Sequence, residues 1–343
     1  MSHSQTGQWR KRLLSALLPI IAIQQTVEAR VQSSLDPAGP GAAHISRLWW
    51  LMLIVCTAVF LLVLGFTLQG VYRGRRRAEV ATDEQSTQRM TQAVTAATAA
   101  TTLILFVLLV ASVMTGRAIS STPDSEVIDV EVVGHQWWWE FIYKDAAASQ
   151  QVSTANELHV PVGKTVLLKL TSRDVIHSFW APNLQGKKDL IPGHYILYPL
   201  RADREGTFRG QCAEFCGAQH AHMAFTVIAQ SEDQFTAWLD AQRAPAVAPT
   251  DPLMARGQQV FLSKPCVMCH TIRGTSAGSR VGPELTHLAS RPTIAAGTLE
   301  MNRGNLAGWV LDAQAIKPGS RMPPNSLTSE ELEALLAYLE SLK

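Results

Sequence analysis

Two long apolar segments constrain the fold of this 343-residue chain more than any other feature. No charged residue interrupts positions 48–72 or 90–116, and each segment exceeds the ~20 residues that a membrane-spanning helix needs. Buried helices of a soluble protein are the alternative, which two such lengths in succession disfavour. We therefore predict a transmembrane helix hairpin within residues 40–120, with spans at about 48–70 and 92–115.

Basic residues predict how this hairpin lies in the membrane. Arg73 and the run 75–77 stand between the two apolar segments, and the positive-inside rule places such a loop in the cytoplasm. Everything after about Arg117 then lies outside.

The N-terminus has the pattern of a signal segment. The basic run 10–12 precedes an apolar stretch that is too short to span a bilayer, so residues 1–29 are predicted to be a signal segment. A retained interfacial helix is the alternative. The formal net charge of only +2 gives no reason to expect a nucleic-acid partner.

Beyond the hairpin, the sequence divides into two further modules joined by a linker. Residues 124–242 contain the alternating segments VIDVEVV and LHVPVGKTVLLKL and a late short strand, MAFTVIA. Glycine and proline separate these segments, which predicts a Greek-key β-sandwich. Ser231 with Gln234 predicts a capping box that begins a helix at its end. The alanine- and proline-rich stretch 243–250 predicts an extended linker. Residues 251–343 predict a helical module whose last helix is capped by Thr328 and Glu331.

The sequence CAEFCGAQHAHM, residues 212–223, concentrates metal-binding side chains in one short loop. Cys212 and Cys216 can form a disulfide in an outer compartment, but a disulfide leaves the histidines and Met223 unexplained. Zinc accepts thiolate and imidazole but has no use for a thioether. Copper binds all three ligand types, and two thiolates can bridge two copper ions. The residues therefore favour copper, and a disulfide remains the alternative for a resting or immature state.

The spacing within this loop resembles the dinuclear copper-A site of cytochrome c oxidase subunit II. The resemblance extends over most of residues 40–230 and includes the segment GHQWWWEF at 134–141. It implies that the backbone carbonyl of Glu214 binds copper, and that the Glu214 carboxylate reaches a possible magnesium site shared with subunit I. It also implies a set of side-chain copper ligands, namely His177, Cys212, Cys216, His220 and Met223.

Three consecutive tryptophans in that segment are candidates for electron transfer. On a strand, Trp137 and Trp139 point to one face and Trp138 to the other, and such side chains often simply fill a core or meet a membrane or partner. The resemblance implies that an exposed aromatic of this cluster passes electrons from cytochrome c to copper, and we favour Trp137. Residues 124–242 carry 15 acidic and 9 basic side chains, which suits a basic electron carrier and equally an ordinary solvated surface.

The sequence CVMCH at residues 266–270 is the attachment pattern of c-type haem. Cys266 and Cys269 are predicted to form thioether bonds to the haem, and His270 to bind its iron. A thioredoxin-like motif does not fit, because no βαβ pattern surrounds these residues. A zinc knuckle does not fit either, because it needs a second cysteine pair.

Met322 is the predicted sixth ligand of the haem iron. The candidates are His287, Met301 and Met322, and only Met322 lies in a proline-bounded loop, KPGSRMPP, whose backbone can present sulfur to iron. Similarity to class I cytochromes c supports this choice, and Gly282 and Pro283 match the segment that packs against the iron-binding histidine in those proteins. A methionine ligand raises the reduction potential of haem.

Joined in order, the modules resemble subunit II of a caa-type bacterial oxidase. The resemblance implies a multidomain membrane protein with a transmembrane hairpin, a cupredoxin-like sandwich and an all-α class I cytochrome c domain. Its implied location is the inner membrane, as a multi-pass protein with copper-A and covalent haem c on the periplasmic face.

The same resemblance implies partners and an activity. Subunits I and III are the implied membrane partners and cytochrome c the donor. Electrons would pass through haem c and copper-A to subunit I, which reduces oxygen to water and translocates protons. A copper-A subunit of a nitric oxide reductase and a copper-delivery or assembly protein are the alternative functions.

Overall fold

The computed structural model describes residues 32–74, 84–120 and 128–343. These residues form two long helices, a β-sandwich over 128–243 called here the copper domain, and a helical domain over 251–343 called the haem domain. The predicted signal segment, residues 1–29, and the arginine run 75–77 lie outside the described residues.

The two apolar segments form the helices α1 (Pro40–Gly74) and α2 (Glu84–Ser120). Among the described residues, these two helices are long and apolar enough to cross a membrane. Their apolar stretches are not buried inside the protein. A helix that is apolar all round and not covered by protein suits a lipid environment.

Helix α1 begins in direct contact with the copper domain. The amide of Ala42 donates to the carbonyl of Leu184 at 3.1 Å, and Ala42 is buried. Gly39, just before the helix, lies so close to the sandwich that a Cβ there would be 2.3 Å from the carbonyl oxygen of Arg201. The start of α1 is therefore fixed to the sandwich.

The copper domain is a sandwich of two five-stranded sheets. The first sheet has the order β3-β2-β1-β5-β8 and the second β4-β10-β9-β6-β7. The strands are β1 (Ile128–His135), β2 (Trp138–Tyr143), β3 (Val152–Ala155), β4 (Glu157–Pro161), β5 (Val166–Ser172), β6 (His177–Trp180), β7 (Lys188–Leu190), β8 (Ile196–Leu200), β9 (Gly206–Cys212) and β10 (Ala224–Gln230). Its core contains aromatic side chains from both sheets, with Trp139 in contact with Phe179 and Phe225.

Strand pairing differs from a purely antiparallel sandwich at two places. β1 pairs with β5 in parallel, and β10 pairs with β4 in parallel. The segment LHVPVGKTVLLKL supplies β4 to one sheet and β5 to the other, so its Gly-Lys turn crosses between the sheets. Gly163 in that turn has a φ of +79°, a conformation that glycine adopts without a steric penalty.

Both predicted capping boxes are confirmed. Ser231 and Gln234 cap α3 (Glu232–Arg243), and Thr328 and Glu331 cap the last helix, α7 (Ser329–Ser341). The haem domain also contains α4 (Pro252–Ser263), α5 (Arg303–Leu311) and α6 (Ala313–Ile316). A short hairpin in the same domain consists of β11 (Thr293–Ile294) and β12 (Leu299–Glu300), each two residues long. Helices α4 and α7 cross closely, since a Cβ at Gly257 would be 2.0 Å from the carbonyl oxygen of Ala334.

The linker between the two outer domains is bound to the haem domain. The amide of Ala246 donates to the carbonyl of Arg273 at 2.9 Å, and the ring of His287 contacts the carbonyl of Ala244 at 3.1 Å. Arg273 also donates to the carbonyls of Gln242 and Arg243, at the end of α3. The haem domain therefore packs against the sandwich instead of hanging on a free tether.

Candidate metal centre and haem cavity

Three strand ends bring the predicted copper ligands together. His177 is the first residue of β6, Cys212 is the last residue of β9, and Met223 immediately precedes β10. The loop between β9 and β10 contains Cys216 and a short 3-10 turn that begins at His220. The amide of Cys212 donates to the carbonyl of Met223 at 2.9 Å, which holds the two ends of this loop together.

The donor atoms of these residues form one connected cluster. Cys212 Sγ lies 3.7 Å from Cys216 Sγ, 3.8 Å from His177 Nδ1 and 3.2 Å from the carbonyl oxygen of Glu214. Cys216 Sγ lies 3.6 Å from His220 Nδ1 and 3.9 Å from Met223 Sδ. The structure thus brings together all six residues predicted to bind copper.

The two cysteines are free thiols in this structure, since 3.7 Å between sulfurs is far from the ~2.0 Å of a disulfide. The hydrogen bond between the two sulfurs lowers the pKa of Cys212 below that of an ordinary thiol. The same hydrogen bond raises the pKa of Cys216, because a second negative charge would lie beside the first. Bound cations would hold both residues as thiolates, which fits copper as the metal.

Asp174 orients the imidazole of His177. Its carboxylate lies 2.8 Å from His177 Nε2 and accepts a hydrogen bond from the amide of Gln136 at 2.7 Å. Burial lowers the pKa of His177, but the hydrogen bonds with Asp174 and Cys212 raise it above its ordinary value. Gly134 of β1 leaves room for the ring, since a Cβ there would be 2.7 Å from His177 Cδ2. His177 Nδ1 therefore faces the sulfurs in a fixed orientation.

Asp174→Asn is expected to lower copper affinity by about 10- to 100-fold, as the loss of an outer hydrogen-bond partner of a metal-binding histidine does. The change keeps the shape of the side chain but removes the negative charge that attracts the imidazole of His177 and orients it. Copper retention against a competing chelator measures the effect. Asp129→Asn, an exposed carboxylate on β1, is the matched control. Equal copper retention in both variants would contradict the role of Asp174.

The three tryptophans have separate environments. Trp137 lies in the turn between β1 and β2 rather than on a strand, and its indole Nε1 donates to the carbonyl of Cys216 at 3.0 Å. Trp139 is buried in the sandwich core, where its Nε1 donates to the carbonyl of Met223 at 3.3 Å. Trp138 stacks on His135 with 4.2 Å between ring centroids. Two of the indoles therefore hold carbonyls of the copper loop.

A cavity of about 420 Å³ lies between the haem domain and the copper domain. All four residues predicted to hold haem line this cavity, namely Cys266, Cys269, His270 and Met322. The ring of His270 contacts the carbonyl of Pro283 through Nδ1 at 2.7 Å, which leaves Nε2 for a metal. Met301 instead packs against the core of the haem domain. The pairing of Gly282 and Pro283 with His270 is confirmed, since a Cβ at Gly282 would be 2.8 Å from the ring.

The lining of this cavity suits a haem. Its walls include Phe261, Leu306, Trp309 and Leu339, which provide an apolar surface. Arg291, also in the wall, is buried and donates to the carbonyl of Glu284 at 2.6 Å. A buried guanidinium is a suitable partner for the carboxylates of haem.

The copper domain forms one wall of the same cavity. Trp137 and Trp138 line it opposite the CVMCH segment. Trp137 is only 8% exposed, so the expectation of an exposed aromatic at this position is wrong. The cause is the haem domain, which covers this face of the sandwich.

Comparison with known proteins gives the family. The profile "Cytochrome C oxidase subunit II, periplasmic domain" matches residues 145–230, and the profile "Cytochrome c" matches residues 254–343. The cytochrome c oxidase subunit 2 of Alkalihalophilus pseudofirmus is 37% identical over 319 residues, which are 91% of this chain and 91% of that protein. The chain belongs to the cytochrome c oxidase subunit II family.

A second relative agrees with membership of the cytochrome c oxidase subunit II family, and one solved structure is similar to part of the chain. Cytochrome c oxidase subunit 2 of Bacillus sp. strain PS3 is 35% identical over 260 residues, 70% of this chain and 71% of that protein. The crystal structure of the periplasmic domain of subunit II of cytochrome oxidase of Bradyrhizobium japonicum is 28% identical, with a TM-score of 0.34, and covers 36% of this chain and 97% of that chain.

Membership of the cytochrome c oxidase subunit II family gives this chain its cofactors and partners. The subunit II profile implies copper-A, a subunit I partner and a cytochrome c donor, and the cytochrome c profile implies haem c. The match to a periplasmic domain, with two apolar helices, makes it a membrane protein with its sandwich on the outer face. The matched relatives favour the oxidase over a nitric oxide reductase subunit or a copper-delivery protein.

Three residues at the two sites were not predicted from the sequence. Asp174 stands three positions before His177, in RDVIH, so a carboxylate close to a ligand histidine was the available signal. Arg291 and Lys317, which are buried in the lining of the haem cavity, have no comparable sequence pattern. Their burial at the cavity depends on how the two domains pack.

Proposed function

We propose that this chain accepts electrons from cytochrome c at its haem cavity and delivers them through its copper loop to subunit I of the oxidase, where oxygen is reduced to water and protons are translocated. When bound, haem c and copper-A each supply a one-electron carrier. The observation that carries this proposal is the position of Trp137, which lines the haem cavity and donates a hydrogen bond to Cys216.

The donor atoms support the following assignment of ligands. His177, Cys212, Cys216, His220, Met223 and the Glu214 carbonyl would hold copper-A, and Cys266, Cys269, His270 and Met322 would hold haem c. The carboxylate of Glu214 is half exposed and lies 3.6 Å from Lys187 Nζ. It is therefore accessible for the magnesium site shared with subunit I that the resemblance implies.

Trp137 connects the haem cavity with the copper loop. Its ring belongs to the cavity wall, and its Nε1 is bonded to the carbonyl of a proposed copper ligand. Gln136 supports the same carbonyl with a hydrogen bond of 2.8 Å. These contacts hold the wall of the haem cavity and the copper loop in one geometry.

A second cavity gives the copper loop access to the membrane side. It has a volume of about 460 Å³, and its lining includes Cys212 and His220 of the copper site and Ala42 and Ile45 of α1. Because α1 enters the membrane, this side of the loop is where subunit I would receive electrons. We place the chain in the bacterial inner membrane as a multi-pass protein and include subunit III among its membrane partners.

Trp137→Ala is expected to slow electron transfer from haem c to copper-A by on the order of 10- to 100-fold, because electron transfer depends on held geometry and small displacements have large effects on rate. Reduction of haem c by external cytochrome c should keep its wild-type rate. Rapid mixing of the purified oxidase with reduced cytochrome c resolves the two steps by their absorption spectra.

Trp238→Ala is the matched control, since Trp238 stacks on His159 and is not among the residues that line the haem cavity. Its copper and haem spectra and both rates should equal those of the wild type. An unchanged transfer rate in Trp137→Ala, with both spectra intact, would remove Trp137 from the route.

A further inference from the structure

The loop that carries Met322 also carries a buried lysine at the boundary between the two domains. Lys317 is only 2% exposed, and it lines the haem cavity. We propose that Lys317 is a positioning residue that locks the haem domain onto the copper loop and thereby closes the copper site to external electron donors. This inference rests on the electron route proposed above.

The ammonium group of Lys317 joins the two domains directly. Its Nζ donates to the carbonyls of Trp137 at 2.9 Å and His222 at 2.7 Å, both in the copper domain. It also donates to the carbonyl of Ala295 at 3.1 Å, in the haem domain. An ammonium group has three protons, and here each has one acceptor.

The burial of this charge makes the contact specific. Burial lowers the pKa of Lys317 to about 7. Within the described ranges no ion pair accompanies Lys317. Its three carbonyl acceptors therefore replace the water molecules that hydrate an exposed ammonium group. Removal of the side chain leaves those carbonyls without this donor at a buried boundary, which is more costly than the loss of an exposed hydrogen bond.

Neighbours of Lys317 in the same loop contact the supports of the copper ligands. Gln219, next to His220, donates to the carbonyl of Pro318 at 2.9 Å. Arg321 lies 3.8 Å from Asp174, the carboxylate that orients His177. A Cβ at Gly319 would be 3.4 Å from the ring of Trp137. The haem-ligand loop and the copper loop therefore form one interface.

This interface covers the face of the copper domain that an external donor would need. Trp137 lies beneath it, whereas Met268 of the CVMCH segment is 70% exposed and Val281 is also exposed. A donor protein can therefore contact the edge of the haem cavity but not Trp137. While Lys317 holds the domains together, electrons from outside must pass through the haem domain.

Lys317→Met in the full oxidase complex tests this role, because it removes the ammonium group and keeps an apolar stem of similar length. Rapid mixing with reduced cytochrome c should show an unchanged rate of haem reduction and a transfer from haem c to copper-A slowed by on the order of 10- to 100-fold. Copper reduction should also begin to depend on the donor concentration, because the released haem domain uncovers Trp137. A role in folding alone would not produce that dependence.

Lys343→Met, an exposed lysine of the same domain, is the matched control and should behave as the wild type. Lys317→Gln, which keeps two donor protons, should give an intermediate transfer rate. Wild-type transfer in Lys317→Met, with copper reduction independent of donor concentration, would overturn the inference. Loss of the haem or copper spectrum in both Lys317 variants would overturn it as well, since Lys317 would then be part of a cofactor site.

The two proposals fail separately. If Trp137→Ala slows transfer and Lys317→Met does not, the route stands and the positioning role is wrong. If Trp137→Ala has no effect while Lys317→Met slows transfer, the two domains are held by Lys317 but electrons take another path.

Discussion

Met322→Ala lowers the reduction potential of haem c by on the order of 100 mV or more, because axial ligands set haem potentials over a range of about 0.8 V. A methionine ligand raises the potential relative to other ligands. In the structure Met322 lines the haem cavity, and Gln314 fixes its backbone by donating to its carbonyl at 2.7 Å. A potentiometric titration followed by the haem spectrum measures the shift, and the sulfur-to-iron absorption band should disappear.

Met301→Ala is the control for this result. Met301 is partly buried against the core of the haem domain, so its loss should change stability but leave the potential and the absorption band as in the wild type. A band that survives in Met322→Ala would assign the iron to a different sulfur. A normal potential in that variant would remove Met322 from the ligand set.

Cys216→Ser abolishes the two-copper cluster. Loss of a residue that only hydrogen-bonds to a metal ligand already lowers metal affinity by about 10- to 100-fold. Cys216 is proposed as a direct ligand, and its sulfur contacts Cys212, His220 and Met223, so its loss should have a larger effect. Haem c should still be reduced by cytochrome c, while oxygen consumption should fall by more than about 100-fold. The copper content of the purified complex and the mixed-valence electron paramagnetic resonance signal are the measurements.

Cys56→Ser provides the same chemical change at a cysteine outside the cluster. Cys56 lies on α1 and is exposed, so copper content and turnover should equal those of the wild type. A two-copper signal that persists in Cys216→Ser would mean that another residue supplies the second bridge.

The fold class and the local chemistry of the sites could be predicted because they depend on short-range patterns. Cys212, Cys216, His220 and Met223 occur within twelve residues, and the CVMCH pattern within five. The two capping boxes are equally local, since each needs only residues three positions apart. Such spacings are properties of the local sequence and do not depend on how the rest of the chain folds.

Features that depend on packing between distant segments could not be predicted in the same way. The parallel pairing of β1 with β5 brings Gly134 next to His177, and nothing in either segment alone indicates this contact. Trp137 was expected to be exposed. Its burial by a second domain could not be predicted, because such burial leaves no periodic pattern in the sequence. Lys317 had no predicted role for the same reason, since its acceptors lie up to 180 positions away.

The fixed start of α1 has a mechanical consequence for the oxidase. The helix has 35 residues, a length of about 50 Å, which exceeds the ~30 Å thickness of the lipid hydrocarbon layer. Because its first turn is packed against the sandwich, we expect the helix and the sandwich to tilt together. A change in helix tilt, such as a thinner or thicker bilayer causes, should then displace the copper loop relative to subunit I.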